Sequence, residues 1–308
     1  MDAAGSPVRF LSPDLIQQVA RLDLRARFIV EGFLAGLHAS PFQGFSVEFS
    51  EHRKYVQGDD LRTIDWNVFA RTDRLYVRKY VAETNLDCHL FVDASASMGP
   101  VGLVPEPESQ AVAAKLLYAV HLGAALGYLI TRQQDAVGLC VLRSGLDAAL
   151  PPRSRRADFA NLLGVLAGLR PDGESNLLAA GRAALARIRH RGVVVLLSDL
   201  LAPGDDARRL FREIRFRGHD LIVFHILDAD EVRFPYTGPL RLEDPEADFV
   251  LHTEAAGLHV EYQAAIREWR DDLRRAAAEV RADFVPLDTS QPFDRALVEF
   301  LAQRSRRR

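Results

Sequence analysis

Asp93, Ser95 and Ser97 stand at alternate positions where the apolar run of HLFVDASASMG, residues 89–99, comes to an end. One carboxylate and two hydroxyls offer only oxygen, the donor set of a hard cation. Two further loops offer the same kind of donor: Ser175 in GESNL, and Asp199 at the close of VVVLLSDLL. An aspartate at the end of a buried strand must be neutralised, hydrogen-bonded or bound to a cation, because an unpaired carboxylate in apolar surroundings is costly. Asp93 and Asp199, on strands expected to be neighbours, would repel each other. A divalent cation between them removes the repulsion, and hydroxyls from Ser95, Ser97 and Ser175 complete an oxygen shell. With no Cys or His in the set, Mg²⁺ or Mn²⁺ suits it better than zinc. The D-x-S-x-S spacing is weak by itself. The plain alternative is that the serines cap the following turn, that Asp93 bonds to backbone amides, and that Ser175 is the N-cap of a helix beginning near Asn176.

The elements that must position these residues are an alternation of strands and helices. A strand ending at Asp93 is followed by a helix over about 108–132, strands at AVGLCVLR and LDAALP, and helices over 159–169 and 176–189. Next come the strand GVVVLLSD, a helix over 207–217 and the strand DLIVFHIL. An insertion near 229–255, rich in Pro and acids, carries strands at LRLED and FVLHTE. A helix over 261–281, the strand DFVPLD and a helix from Pro292 close the chain. Apolar, β-branched strands alternating with helices predict an α/β fold, a doubly wound and mostly parallel sheet covered on both faces. Such sheets bind ligands beyond the carboxyl ends of their strands, where strand order reverses. Residues 1–84 differ in character, and a smaller α+β segment is expected there. A helix runs from Ser12 to Gly36, then a charged and aromatic stretch has strands near 47–49 and 75–81. The boundary is placed near Asn85, with residues 85–308 as the larger domain.

Composition limits the function classes. The 308 residues carry 39 basic and 42 acidic side chains, a net charge of −3, so no overall field favours nucleic acid or an anionic membrane. The triple arginine at 306–308 reads as a solvated tail. The most apolar window, LYAVHLGAALGYLI at 117–130, is too short to span a membrane and reads as a buried helix. The first residues lack the basic start and apolar core of a signal peptide, so a cytoplasmic protein is expected. Cys88 and Cys140 fall in predicted strands and read as buried free thiols, since a redox pair would need a CxxC or an exposed thiolate.

On these residues a resemblance becomes specific. The three loops resemble the metal-ion-dependent adhesion site (MIDAS) of von Willebrand factor A (vWA) domains, whose pattern is D-x-S-x-S, a later Thr and a later Asp; Asp93, Ser95, Ser97, Ser175 and Asp199 match it. Ser175 replaces the usual Thr and keeps the hydroxyl. Leu200 stands where a Gly often follows the Asp. Upstream, GFSVEFSEHRKYVQGDDLRTIDWNVFARTDRLYVRKYVAETNLD resembles the signature of the bacterial domain-of-unknown-function family 58 (DUF58). Members of that family pair this block with an A domain and are commonly encoded beside MoxR-type AAA+ ATPases. The resemblance implies a vWA/Rossmann-like domain and a chaperone-like cytoplasmic adaptor working with such an ATPase in protein maturation or remodelling. The metal, Mg²⁺ or Mn²⁺, would keep a position open for an acidic residue of a client protein.

The signature block mixes both signs of charge, which argues against a surface that tracks phosphates. It reads either as ion pairs and turns that dock the block on its neighbour, with Gly58, Asp59 and Asp60 in a tight turn, or as a partner surface. On the second reading the candidates are Arg53, Tyr55, Asp59, Asp60, Arg62, Asp65, Trp66 and Arg71. ATPase activity would belong to the partner, because the chain has no G-x-x-x-x-G-K-[ST] loop. The competing expectation is a Mg²⁺- or Mn²⁺-dependent hydrolase or phosphatase with Asp93 as nucleophile. Against it, position 95 is a serine, which cannot serve as the proton-donating acid of a D-x-D pair near neutral pH.

Overall fold

The computed structural model describes residues 47–56, 64–82, 87–100 and 114–300, apart from 294, 298 and 299. The expected helix over 12–36, the turn at 58–60, the start of the helix at 108–113 and the arginines at 306–308 lie outside the described residues. The chain divides into two compact units, one of residues 35–85 and a larger one that contains residues 86–308.

In the smaller unit, β1 (Val47–Lys54) pairs antiparallel with β2 (Tyr76–Ala82), with a register irregularity between Phe49 and Glu51. A short helix, α1 (Trp66–Thr72), lies between them in sequence. Ile64 bridges to Val77, and both are buried.

The larger unit is built on one sheet. Its strands are β3 (Asp87–Asp93), β4 (Ala136–Leu142), β5 (Leu146–Arg153), β6 (Val193–Ser198), β7 (Asp220–Leu227) and β10 (Asp283–Asp288), in the order β10-β7-β6-β3-β4-β5. All neighbours are parallel except β5, which runs antiparallel to β4. The fold is therefore α/β with a mostly parallel central sheet. Every residue of β6, VVVLLS, is buried, as a strand covered on both faces requires. Both edge strands carry proline, Pro151 and Pro152 in β5 and Pro286 in β10, where a missing ladder donor is tolerated and further pairing is discouraged.

The helices of this unit include α2 (Ala114–Arg132), α3 (Arg156–Gly168), α4 (Leu177–Leu185), α5 (Asp206–Phe216), the short α6 (Ala229–Arg233) and α7 (Ala255–Glu279), and residues 293, 295–297 and 300 are also helical, as expected of a closing helix from Pro292. On one face Phe91, Val194 and Leu196 pack with Leu177, Ala180 and Ala184 of α4, with Leu210, Phe211 and Ile214 of α5, and with Leu273 and Ala277 of α7. On the other, Gly123 of α2 comes up against Leu90, Leu197 and Leu166. Alternate residues of β3 and β6 thus feed two cores, and each fully buried Leu, Val or Phe contributes roughly 1.5–3 kcal/mol. Helix α5 follows from its sequence: Ala207, Leu210, Phe211 and Ile214 repeat at helical spacing and are buried, and Gly218 at φ 84 ends it. The apolar window at 117–130 lies within α2 and belongs to the core. Among the described residues, no helix is long and apolar enough to cross a membrane.

Two boundaries differ from expectation. Helix α7 begins at Ala255 rather than near 261, because the second strand of a hairpin, β8 (Pro239–Glu243) with β9 (Val250–Glu254), runs directly into it. Asn176, not Ser175, is the N-cap of α4: its side chain accepts from the Ala179 amide at 3.1 Å. Either residue type caps well, and here the cap falls one position later than expected.

Candidate metal centre

Strand order reverses between β3 and β6. From β3 the chain winds outward through β4 and β5, then returns to β6 on the other side of β3 and winds outward again. The carboxyl ends of these two central strands deliver Asp93 and the Ser198-Asp199 pair to one crevice. The loop after β3 is tied to the loop before α4, since Ala96 donates its amide to the Gly173 carbonyl (2.9 Å) and Asp172 donates to the Ala94 carbonyl (3.0 Å).

Within the crevice the oxygens form a chain. Asp93 Oδ1 accepts from the Ser95 amide at 3.0 Å and from Ser95 Oγ at 2.7 Å, while its Oδ2 accepts from Ser198 Oγ at 2.6 Å. Ser95 Oγ and Ser97 Oγ are 3.1 Å apart, and Ser97 Oγ donates to Asp199 Oδ1 at 3.4 Å. Asp93, Ser95, Ser97 and Asp199 are all buried. Burial, with the Asp199 charge next to it, pushes the Asp93 carboxyl up to about 6, against the lowering effect of its bonds to Ser198 and Ser95. The expected mutual repulsion of the two acids is thus present.

Oxygens that share one small octahedral cation stand about 3 Å apart, from metal–oxygen distances of about 2.1 Å. The spacings of 2.7, 3.1 and 3.4 Å along Asp93, Ser95, Ser97 and Asp199 bracket that value. Among the described residues no three His, Cys, Asp or Glu side chains group as a metal site, so a cation here would depend on serine hydroxyls beside two carboxylates. Such a donor set fits Mg²⁺ or Mn²⁺ and disfavours zinc.

Ser175 enters through its backbone. Its amide donates to Glu246 Oε2 at 2.7 Å, and the Ser97 amide donates to Oε1 of the same carboxylate at 3.1 Å. Glu246 sits in the turn of the β8–β9 hairpin, where its own amide is held by Asp244 Oδ1 at 2.8 Å.

The sequence pattern did not disclose four contributors. Ser198 closes Asp93, and Glu246 closes the two loop amides. Lys115, at the beginning of the described part of α2, places Nζ 2.9 Å from Asp199 Oδ2 and 2.5 Å from Glu231 Oε1, with the lysine side chain 1 % exposed. Burial alone would lower the lysine pKa, but the Asp199 and Glu231 carboxylates outweigh it and the net shift is upward. Glu231 is held by a capping box at the start of α6, in which its Oε2 accepts from the Asp228 amide at 2.7 Å; burial raises its pKa, and Lys115 opposes the rise. A signal for Lys115 existed: it is the lone charge before the long uncharged run LLYAVHLGAALGYLI. Glu231 had one in the D-x-x-E box, whereas nothing separated Glu246 from the acids around it.

Leu200 is the one strained position in the crevice. Its φ of 58 lies in the left-handed region, which explains why a Gly suits this place and costs a leucine about 1–2 kcal/mol. The cost is offset by a fully buried side chain and by the Leu200 amide donating to Ser198 Oγ at 2.8 Å.

The tentative partner residues are spread over different environments. Asp65 is 7 % exposed and accepts from the Val68 amide at 3.2 Å, so it caps α1 instead of facing a partner. Trp66 is 58 % exposed and meets Phe69 edge-on at 6.0 Å; Arg71 is exposed and Tyr55 half-buried. Arg53 lies in β1, and Asp59, Asp60 and Arg62 lie outside the described residues.

Known proteins resemble the whole chain. It is 30% identical over 298 residues to "Uncharacterized protein Rv1480" of Mycobacterium tuberculosis, covering 96% of this chain and 91% of that protein. Over 161 residues it is 32% identical to "Uncharacterized protein MAV169" of Mycobacterium avium, covering 51% of this chain and 94% of that one. Among solved structures, it is similar to conserved hypothetical protein BatB from Bacteroides thetaiotaomicron, at 14% identity and a TM-score of 0.44, over 72% of this chain and 99% of that one. A likeness at 15% identity and a TM-score of 0.44 links it to an aerotolerance-related membrane protein from Bacteroides fragilis, over 72% of this chain and 100% of that one. The family described as "Protein of unknown function DUF58" matches residues 51–272, most of the chain and both of its units, and the chain belongs to that family.

Proposed function

We propose that the chain is a metal-dependent protein-binding adaptor. Its larger unit acts as a vWA-type domain, and Asp93, Ser95, Ser97, Ser175 and Asp199 form a MIDAS-type site for Mg²⁺ or Mn²⁺. The observation that carries this reading is the convergence of Asp93, Ser95, Ser97 and Asp199 at the reversal point of the sheet, beside two loop amides already engaged by a carboxylate. When bound, the cation would turn one acidic side chain of a partner into an anchor. The protein's own contribution is to hold the oxygens in place and to exclude water around them. A MoxR-type AAA+ ATPase supplies the energy, a client protein supplies the acid, and the adaptor works in the cytoplasm during maturation or remodelling.

The hydrolase reading has less support. Position 95 offers a hydroxyl where an aspartate-based phosphatase has its second acid, and the lysine nearby is fixed between two acids.

The test is a calorimetric titration of the full chain with a MoxR-type AAA+ ATPase, with Mg²⁺ or with chelator. The wild type should lose at least about tenfold in affinity, roughly 1.4 kcal/mol, on chelation. Asp93→Ala should bind at the chelated level in both conditions while its circular dichroism stays unchanged. Affinity that ignores both the chelator and the substitution would falsify the metal-anchor reading. Turnover of a generic phosphate ester with Mg²⁺ or Mn²⁺, lost in Asp93→Ala, would instead support the hydrolase.

A further inference from the structure

Glu246 reaches into the crevice from far along the chain, 149 residues from Ser97 and 71 from Ser175. Its two carboxylate oxygens take one amide each, so it is held at both ends as a ligand would be. It is half-buried, while its neighbours in the turn, Asp244, Pro245, Ala247, Asp248 and Phe249, are exposed. The turn is organised to present it: besides the Asp244 bond to its amide, Asp244 donates to the Phe249 carbonyl at 3.0 Å and Phe249 to the Ala247 carbonyl at 2.8 Å.

The arm that carries it is weakly anchored. Strands β8 and β9 pair only with each other, and no residue of either is fully buried. A two-stranded ribbon of this kind has little stability of its own and opens at low cost. Electrostatics point the same way. Glu246 brings one more carboxylate to a crevice that already holds Asp93 and Asp199, where the Lys115 ammonium is taken up by Asp199 and Glu231.

We propose that the amides of Ser97 and Ser175 are the docking point for a partner's acidic side chain, and that Glu246 is a built-in occupant which the partner must displace. The inference rests on the adaptor reading for its partner, and it assigns that partner's chemistry: an exposed Asp or Glu in a flexible or turn segment, with both carboxylate oxygens free. It also makes the resting adaptor closed, with its affinity reduced by the fraction of time the arm is lifted.

The probe is a capped synthetic peptide with the sequence of residues 241–252, RLEDPEADFVLH, and a control carrying Gln at the position of Glu246. Both are fluorescently labelled and titrated with the full-length wild type and the Glu246→Gln variant in Mg²⁺. The variant should bind the acidic peptide at least about tenfold more tightly than the wild type does, and neither protein should bind the control. In hydrogen exchange, the Ser97 and Ser175 amides should exchange faster in Glu246→Gln than in the wild type, which checks the contact independently of any peptide. Equal affinity of the two proteins, absence of binding by both, or unchanged exchange at the two amides would overturn the proposal. Repeating the titration with chelator separates the two readings. Tighter binding by the variant that survives chelation keeps the self-occupant and removes the metal anchor. Metal-dependent binding that is the same in both proteins does the reverse.

Discussion

Lys115 is the residue on which the crevice's internal charge depends. Its ammonium is the partner of two buried acids on different elements, Asp199 after β6 and Glu231 on α6. A buried pair contributes little over an apolar replacement, but removing one partner strands the other charge. Lys115→Met should therefore destabilise the fold by about 3–5 kcal/mol in urea denaturation, and adding Glu231→Gln should recover part of the loss. A loss below about 1 kcal/mol would mean that the two acids do not rely on the ammonium. At this scale, what could be read in advance was local. Asp93, Ser95 and Ser97 lie within five residues, and their alternation at a strand end is visible in one line of sequence. Asp199 was accessible because a buried strand stops at it. Lys115, Glu231 and Glu246 arrive from segments brought in by tertiary packing, and no spacing along the chain relates them to Asp93. Asp65 misled for a related reason: charge in a charged block suggests surface, yet a helix start claims the carboxylate.

Helices α4 and α5 show how closely the elements behind the crevice are fitted. A Cβ on Gly181 would lie 2.4 Å from Leu210 Cδ1 and 3.2 Å from its Cγ, and Leu210 is fully buried with no room to withdraw. Gly181→Val should cost about 1–3 kcal/mol in denaturant unfolding by overpacking. Combined with Leu210→Ala, the total should be smaller than the sum of the two single effects, because one substitution vacates space the other fills. Strands and helices were readable here because their periodicities differ: VVVLLS is apolar at every position, and α5 repeats at helical spacing. Ends were less readable. Ser175 and Asn176 both cap well, and only the packing of α4 selects between them. Gly257 lies inside α7, where a single Gly costs a helix of this length only about 1 kcal/mol.

For the molecule as a whole, pH should act through buried groups. Burial holds His89 down to about 4, helped by His219, and holds His225 down to about 3, helped by Arg270. Unfolded, both would take up protons below their ordinary 6.5, so the stability they confer is complete above 6.5 and is lost as pH falls toward 4 and 3. Asp93 acts in the opposite sense. Raised from 3.8 to about 6, it is protonated in the fold and ionised in the unfolded chain between those values, which favours the fold as pH falls. Partly buried His121 and His219 are held down in the same way, and Asp87 and Glu231 are held up as Asp93 is, so the lowered histidines outnumber the raised carboxyls and the metal-free protein should lose stability as the pH is taken from 6 to 4. Calorimetric Tm values across this range should fall steadily, and a flat profile would contradict the assignment of these histidines as neutral.

The centre of the sheet also carries a message about time. β3 pairs on one side with β4, the next strand of the sheet along the chain, and on the other with β6, beyond which Asp199 lies 102 residues from Ser97. Closing the longer loop is the slower event. The β3–β4 pair is thus expected to form before β6 joins it on the other side of β3. Only when β6 docks does Asp199 come to stand beside Ser97, so the crevice is complete only after the longer loop has closed.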